Sequence, residues 1–260
     1  MVAVTTKETA DASRAEPGGS RLPAVDFVRA GGASAVLAMV VLFAGIVTHI
    51  MYGGSPPDGM NVYLTDISAN PAGNVLAPSL DIAAYLLLLV FMVALYQLLR
   101  EGRGPMRLAL VTGTFGLLLI VFSRVVSMAI VELAVNYAAA DAATKPAIAA
   151  VADTAVRTKS ILDLVGNLLA FGVGGALFSL AILRTSVLSR WLGWGGLVYA
   201  AMMWTTVLEV SVVDGLTARD SIVFFVASWF GILWLVAMGV GMVRAGNQSV
   251  PEEEVGDGTS

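Results

Sequence analysis

The sequence predicts an all-α membrane protein, a polytopic transmembrane bundle of six helices. Hydrophobic residues make up 57% of the 260-residue chain and charged residues only 13%, about half the charged share of an average soluble domain. The apolar residues lie in long runs, and a run of about 18 or more is typical of a helix that crosses a bilayer. A soluble globular domain and intrinsic disorder are both disfavoured. The six predicted spans are residues 33–52, 82–99, 106–131, 161–184, 191–212 and 221–243.

Lysine and arginine are distributed unevenly between the two ends of these spans. With a cytoplasmic N-terminus, ten of the 15 basic residues fall on the inner side and four on the outer side, while Arg124 falls within the membrane. Because inner loops are enriched in basic residues, we expect both termini in the cytoplasm and the chain in the cell membrane. Polar composition predicts a flexible tail at 1–29 and an acidic one at 246–260, around a membrane domain at 30–245.

The residue types that are missing exclude several kinds of site. The chain has no Cys and one His, so it offers no disulfide, no thiolate nucleophile and no pair of His ligands for a membrane haem. A phosphate-binding loop of the G-x-x-x-x-G-K-[ST] type is also missing from the sequence. The net charge is −4 without a basic cluster, which argues against nucleic acid. We therefore expect no cofactor and no metal, and membrane lipid as a partner.

Two long loops on the predicted outer side carry helical patterns. In residues 53–79, apolar side chains at helical spacing predict a short surface helix resting on the outer leaflet. These side chains are Met60, Tyr63, Leu64 and Ile67. In residues 138–160, Thr144 is placed to cap a helix whose first turn holds Lys145 and Pro146. We expect that second helix to continue into the fourth span.

Two side-chain patterns of the fourth span and of the segment before it have simple interpretations. Asp153 and Arg157 are four residues apart, which predicts an ion pair on a solvated helix face. Gly166, Ala170 and Gly174 place a small residue at every fourth position, which allows another helix to approach closely. We interpret this strip as a contact inside the bundle, with a dimer interface as the alternative.

The ionisable residues of the spans gather toward the predicted outer side. At about 1.5 Å per residue, Arg124 lies roughly 25 Å from the inner end of its span. A charge inside a membrane costs about 2.5–3.5 kcal/mol unless it is paired or hydrated, so we expect Asp163 and Glu209 as its partners. The pattern predicts a polar pocket open to the outer side and closed below by apolar residues. Its candidate residues are His49, Arg124, Asp163, Asn167 and Glu209, whereas Asp81 and Glu132 are interpreted as interfacial.

Five segments of the chain resemble one protein family in matching order. They are FVRAGG (27–32), YLTDISAN (63–70), TFGLLLIVFSR (114–124), FSLAIL (178–183) and SRWLGWGGL (189–197). Together they are similar to the bacterial multi-pass membrane family known as domain of unknown function 4386, over roughly residues 27–245. The chain departs from that pattern at Ser189, where the family usually has Pro. The resemblance implies an integral membrane protein with several helices, located in the bacterial inner membrane, and no particular activity.

Three functions stay open at the level of sequence. The first is a non-enzymatic membrane protein whose outer pocket binds, or passes, a small or amphipathic ligand. The second is a structural or partner-binding subunit in which the polar cluster only holds helices together, alone or in an oligomer. The third is an intramembrane enzyme acting on lipid, with His49, Asp163 and Glu209 as acid–base candidates, although no catalytic motif supports it.

Overall fold

The computed structural model of the chain describes residues 22–52, 59–99, 103–212 and 222–248. Within these ranges every regular element is a helix, which confirms the predicted all-α class. A π-helical segment, Leu168–Gly174, joins α5 and α6 into one continuous rod, as expected for the fourth span. The helices are α1 (Leu22–Tyr52), α2 (Met60–Ala69), α3 (Pro71–Leu98), α4 (Arg103–Ala139), α5 (Lys145–Asn167), α6 (Gly175–Arg184), α7 (Arg190–Val212) and α8 (Ile222–Gln248).

Five helical stretches of the described residues are long and apolar enough to cross a membrane. The helix α7 coincides with the predicted fifth span but is not among them. The count of six spans and the orientation of the termini therefore stay predictions. The five stretches are Val25–Tyr52, Pro71–Leu98, Pro105–Ala139, Lys145–Arg184 and Ile222–Asn247.

Several helices extend beyond the predicted spans. Residues 22–29 of the predicted tail belong to α1, and residues 246–248 belong to α8. The division into a membrane domain and two tails stays a prediction. Residues 1–21 and 249–260 lie outside the described residues. The helix α3 begins inside the predicted 53–79 loop, because the Asn70 side chain accepts a 3.2 Å hydrogen bond from the amide of Gly73 and a proline follows Asn70. Charge-free runs thus underestimate helix length at polar boundaries.

The helix α4 and the α5–α6 rod are much longer than a bilayer is thick. They contain 37 and 40 residues, or about 55–60 Å at 1.5 Å per residue, against a hydrocarbon thickness of about 30 Å. The helix α2 packs against one end of them. We call this end of the molecule the α2 end, and the sequence predicts that it faces outward.

The helix α2 forms as predicted, but its apolar face meets protein. Leu64 and Ile67 are buried against α4 and α5, so the expectation that this helix rests on the outer leaflet is wrong. The reason is that α4 and α5 continue past their predicted span ends and supply a partner surface. The resulting small hydrophobic core, here called the α2 core, consists of Leu64, Ile67, Ile130, Val131, Ala134, Tyr137 and Ala152.

The rest of the bundle surrounds one larger hydrophobic core, here called the main core. The helix α1 packs on α3 and α8, α4 packs on α3 and on the α5–α6 rod, and α7 contacts α6 and α8. Leu88, Leu117, Phe178 and Met238 are among its fully buried side chains. The main core runs from the middle of the molecule to the end opposite α2.

The predicted small-residue strip is a contact within the chain. A Cβ atom added at Gly166 would lie 2.7 Å from Cγ1 of Ile120, and one added at Gly174 would lie 3.0 Å from Cα of Gly113. Both of these neighbours belong to α4. The structure therefore supports the interpretation of the strip as a helix contact inside the bundle.

The turn between α4 and α5 differs in one detail from the prediction. Thr144 precedes α5, but its side chain makes no capping bond. Instead its amide donates a 2.8 Å hydrogen bond to Oδ1 of Asp141. Hydrogen bonds from Thr144 hold the pKa of the exposed Asp141 carboxyl below its usual value.

The predicted pair on the solvated face of α5 is confirmed. Nε of Arg157 lies 2.9 Å from Oδ2 of Asp153, with side chains 77% and 46% exposed. An ion pair so open to solvent contributes little to stability.

Candidate functional site

The centre of the candidate site is Arg124, which joins three helices. Its Nε atom lies 2.9 Å from Oδ2 of Asp81 on α3, and its Nη1 atom lies 3.0 Å from Oδ2 of Asp163 on α5. The three side chains are only 17%, 20% and 24% exposed. Pairing with Arg124 offsets part of the cost of placing these carboxylates in a medium of low dielectric constant, where an unpaired charge is costly.

The two ion pairs of Arg124 differ in quality. The contact with Asp163 is also a hydrogen bond. The contact with Asp81 is ionic only, since Nε has no hydrogen-bond acceptor despite the short distance. An N–H that does not point at the oxygen contributes less than an aligned one. Asp163 is therefore the better partner of the two.

Polar and aromatic neighbours complete the surroundings of the Arg124–Asp163 pair. The hydroxyl of Ser123, which is fully buried, donates to Oδ1 of Asp163. The amide of Asn167 donates a 2.8 Å hydrogen bond to the backbone carbonyl of Asp163. The ring of Tyr85 lies 6.0 Å from Cζ of Arg124, within the range of a cation–π contact. We call these residues together with Asp81 the polar layer.

The polar layer lies between the two hydrophobic cores. On α4, Ile120 belongs to the main core and Ile130 to the α2 core, with Arg124 between them. On the α5–α6 rod, Ala152 of the α2 core and Ala170 of the main core lie on either side of Asp163. The charges thus lie at the boundary between the two cores, on α4 and on the α5–α6 rod.

A glycine in α1 makes room for the Asp81 carboxylate. A Cβ atom added at Gly45 would lie 2.6 Å from Oδ1 of Asp81. The helix α1 therefore closes one side of the polar layer by close approach. The sequence analysis missed this contact, because a single Gly inside an apolar span gives no signal of its neighbour.

A small cavity adjoins the polar layer at Asp163. Its volume is about 30 Å³, which is enough for a water or a group of similar size. The cavity is formed by α5, the π-helical segment, α7 and α8. It is lined by Asp163, Leu164, Asn167, Leu168, Met203, Thr206, Val207 and Phe224. The wall of this cavity is mostly apolar and includes two polar residues of α5. The polar pocket open to the outer side stays a prediction.

The predicted site residues are brought together only in part. Arg124, Asp163 and Asn167 are neighbours, as expected. The second carboxylate against Arg124 belongs to Asp81, in the place where we expected Glu209. Glu209 is half-buried on α7, within a turn of the cavity residue Thr206.

The remaining candidate, His49, and the unexpected partner Asp81 depend on where helices begin and end. His49 is half-buried near the end of α1, one turn beyond Gly45. Asp81 was interpreted as interfacial because it precedes the charge-free run 82–99, but α3 begins at Pro71. Asp81 therefore lies nearly three turns inside the helix. The Asn-Pro start signal at Asn70 could have revealed this.

The chemistry of the site is that of ion pairing and hydrogen bonding. Among the described residues, no three His, Asp or Glu side chains are placed to hold a metal ion. The π-helical segment begins directly after Asn167, and such segments occur often at functional sites because they displace side chains from the regular helical positions. Here the segment contributes Leu168 to the cavity wall.

Comparison with known proteins identifies a family. A family model described as Domain of unknown function (DUF4386) matches residues 30–242. No curated protein and no solved structure matches the chain. The matched range contains the polar layer, the α2 core, most of the main core and most of each apolar helix. The chain therefore belongs to the family known as domain of unknown function 4386, as its sequence resemblance predicted.

Proposed function

We propose that this chain is a multi-pass membrane protein that binds a small polar or amphipathic molecule in the cavity between α5, α7 and α8. The observation that carries the proposal is the double position of Asp163. This carboxylate pairs with Arg124 and accepts from Ser123, and it also lines the cavity. A single group therefore links the ion-paired framework to a space that a ligand can enter.

Asp163 retains hydrogen-bonding capacity toward a ligand. A carboxylate has about four acceptor positions, and Arg124 and Ser123 occupy one on each oxygen. The remaining positions suit a donor such as an ammonium, a hydroxyl or an amide N–H. Asn167 adds a side-chain carbonyl oxygen, because the Asn167 hydrogen bond to its own helix uses only the amide nitrogen.

The mixed walls of the cavity favour the polar end of an amphipathic molecule, while its size admits only that end. A volume of about 30 Å³ accepts a head group about as large as water. Leu164, Met203 and Phe224 supply apolar surface beside it, where an alkyl or aromatic portion would lie. Ligand sites commonly combine apolar walls with a few polar groups that fix orientation.

The proposal includes a topology. We place α7 as a sixth span beside the five long apolar helices, with both termini in the cytoplasm of a bacterium and the cavity near the outer face of its inner membrane. The excess of basic residues at the end opposite α2 supports this orientation. A cavity on that side would receive its ligand from the outer leaflet or from the space beyond it.

A structural subunit is the competing function, and one observation favours it. Arg124 is paired on both sides by carboxylates from two other helices, which is the arrangement expected of an internal lock. In that case Asp163 and Asp81 would have the same role, which is to pair with Arg124. The cavity would then take no part in function. The two proposals therefore make different predictions for these two carboxylates.

Access to the cavity can be measured because the natural chain has no Cys. We would introduce Val207→Cys in the cavity wall and, as the matched control, Met202→Cys, which is likewise half-buried on the same helix but lies outside the cavity. We expect 2-aminoethyl methanethiosulfonate, a slender cationic reagent, to modify the cavity position several times faster in membrane vesicles. Equal rates at the two positions would contradict a ligand-accessible cavity.

The anchor role of Asp163 is tested by adding a second substitution to the Val207→Cys protein. Asp163→Asn should reduce the preference for the cationic reagent over its neutral 2-hydroxyethyl analogue. Asp81→Asn, which removes the other carboxylate of Arg124 but leaves the cavity wall intact, should leave that preference unchanged. The same loss in both variants, or in neither, would support the structural lock.

A further inference from the structure

We propose that a groove at the end of the bundle opposite α2 binds an anionic phospholipid. The groove lies between the α6–α7 connection, the first turn of α7 and the last turns of α8, and its volume is about 550 Å³. Val187, Leu192 and Val240 give it apolar walls, and Ser189 and Arg244 are polar residues in its lining. It is separate from the polar layer and from the cavity at Asp163.

Arg244 supplies the charge that an anionic head group requires. The side chain is exposed, and no Asp or Glu of the described residues forms an ion pair with it. A guanidinium presents several N–H donors in a planar fork that matches phosphate oxygens. Ser189 adds a hydroxyl in the same groove.

The position of Arg244 along α8 agrees with the depth of a lipid phosphate. The apolar stretch of this helix ends at Asn247, so Arg244 lies in its last turn, where a phosphate lies when acyl chains cover the preceding turns. Trp191, also in the groove, is 83% exposed, and Trp side chains are enriched at the boundary between hydrocarbon and head groups.

The apolar walls select a lipid over a free phosphate ion. Val187 and Val240 are exposed in the protein alone, and an acyl chain along them would cover that surface while the phosphate contacts Arg244. Basic pockets between membrane helices bind anionic lipid head groups in this way. The occupant that fits both the charge and the walls is therefore a phospholipid with net negative charge, such as a phosphatidylglycerol.

The test is a lipid titration of the purified full-length protein, followed by native mass spectrometry. The probe is palmitoyl-oleoyl phosphatidylglycerol, and phosphatidylcholine with the same acyl chains is the neutral comparison. Arg244→Gln should weaken phosphatidylglycerol binding roughly fivefold, and Arg244→Lys should retain most of it. The matched control is Arg107→Gln, which removes an exposed arginine outside the groove.

A second variant tests the space without changing the charge. Ala237 is exposed in the groove, so Ala237→Phe fills it while Arg244 remains, and we expect a comparable loss of bound phosphatidylglycerol. Equal binding of phosphatidylcholine, an equal loss in Arg107→Gln, or no change in the two groove variants would overturn the proposal. Displacement of the lipid by millimolar inorganic phosphate would also overturn it, since that result indicates a free-anion site.

Discussion

The main core and the α2 core share α4 and the α5–α6 rod but differ in extent and setting. The main core joins most of the helices along the apolar stretches of the bundle. The α2 core is small and depends on the ten-residue helix α2 lying against the extended ends of α4 and α5. The polar layer of Arg124 separates them. Two cores on the same helices are thus made distinct by the charges between them.

The two cores also differ in the interactions that stabilise them. Lipid tails are as apolar as the side chains of the main core, so packing and hydrogen bonding hold that core together. The α2 core lies toward the end of helices too long for a bilayer, where we expect water and therefore a hydrophobic driving force. The ion pairs between the two cores fix the positions of α3, α4 and α5 relative to one another, and both cores depend on those positions.

The largest expected effect comes from removing the shared cation. Arg124→Ala leaves Asp81 and Asp163 without their counter-charge, which we expect to lower the free energy of unfolding by about 3–5 kcal/mol. His49→Ala, a change at the edge of the same region, should have a much smaller effect. Thermal melting of the detergent-solubilised protein compares the two, and equal melting temperatures would contradict the importance of the Arg124 pairs.

The next effect should be confined to the α2 core. Leu64→Ala removes a fully buried side chain, at an expected cost of about 2–4 kcal/mol. Hydrogen exchange should rise in α2 and at the adjoining ends of α4 and α5, while α1 and α3 stay protected. Leu117→Ala in the main core is the matched change and should affect the bundle helices instead. Uniform loss of protection in both variants would show that the two cores unfold as one unit.

A smaller effect is expected where α1 approaches the polar layer. Gly45→Ala brings a methyl group against the Asp81 carboxylate and should cost about 1–3 kcal/mol through overpacking. Gly59→Ala is the control, because no atom lies within 4 Å of its added Cβ. Melting temperatures again provide the measurement. An unchanged melting temperature in Gly45→Ala would mean that α1 can shift away from Asp81 at little cost.

The smallest effect concerns the turn beyond the α2 core. Since hydrogen bonding lowers the pKa of Asp141 in the folded protein, its stabilising contribution is present above the ordinary Asp pKa of about 3.9 and is lost as the pH falls through the lowered value. The Thr144 amide should exchange faster in Asp141→Ala than in the natural chain at pH 6. That difference should shrink toward pH 3, and a difference independent of pH would exclude the carboxylate as its cause.

The sequence was sufficient for the helical class and for most of the long apolar helices, because hydropathy depends only on local composition. It also predicted that Arg124, Asp163 and Asn167 are neighbours, since they lie at similar depths in neighbouring predicted spans. It misjudged Asp81, because the start of α3 depends on the cap at Asn70 and a charge-free run does not reveal that cap.

Other features depend on tertiary contacts and had no local signal. The burial of α2 requires the extended ends of α4 and α5 as partners, and the closeness of Gly45 to Asp81 requires the packing of α1 on α3. The volume of the cavity follows from how α7 and α8 meet the π-helical segment. Residue periodicity within one helix contains none of this information.

A high-resolution cryo-electron microscopy map of the protein extracted with its native lipids is the most direct measurement of the central claim. We predict that Arg124 is held between Asp81 and Asp163, and that non-protein density occupies the space beside Asp163 and Asn167. A map in which the Arg124 side chain extends into lipid, or in which protein side chains fill that space, would contradict the account.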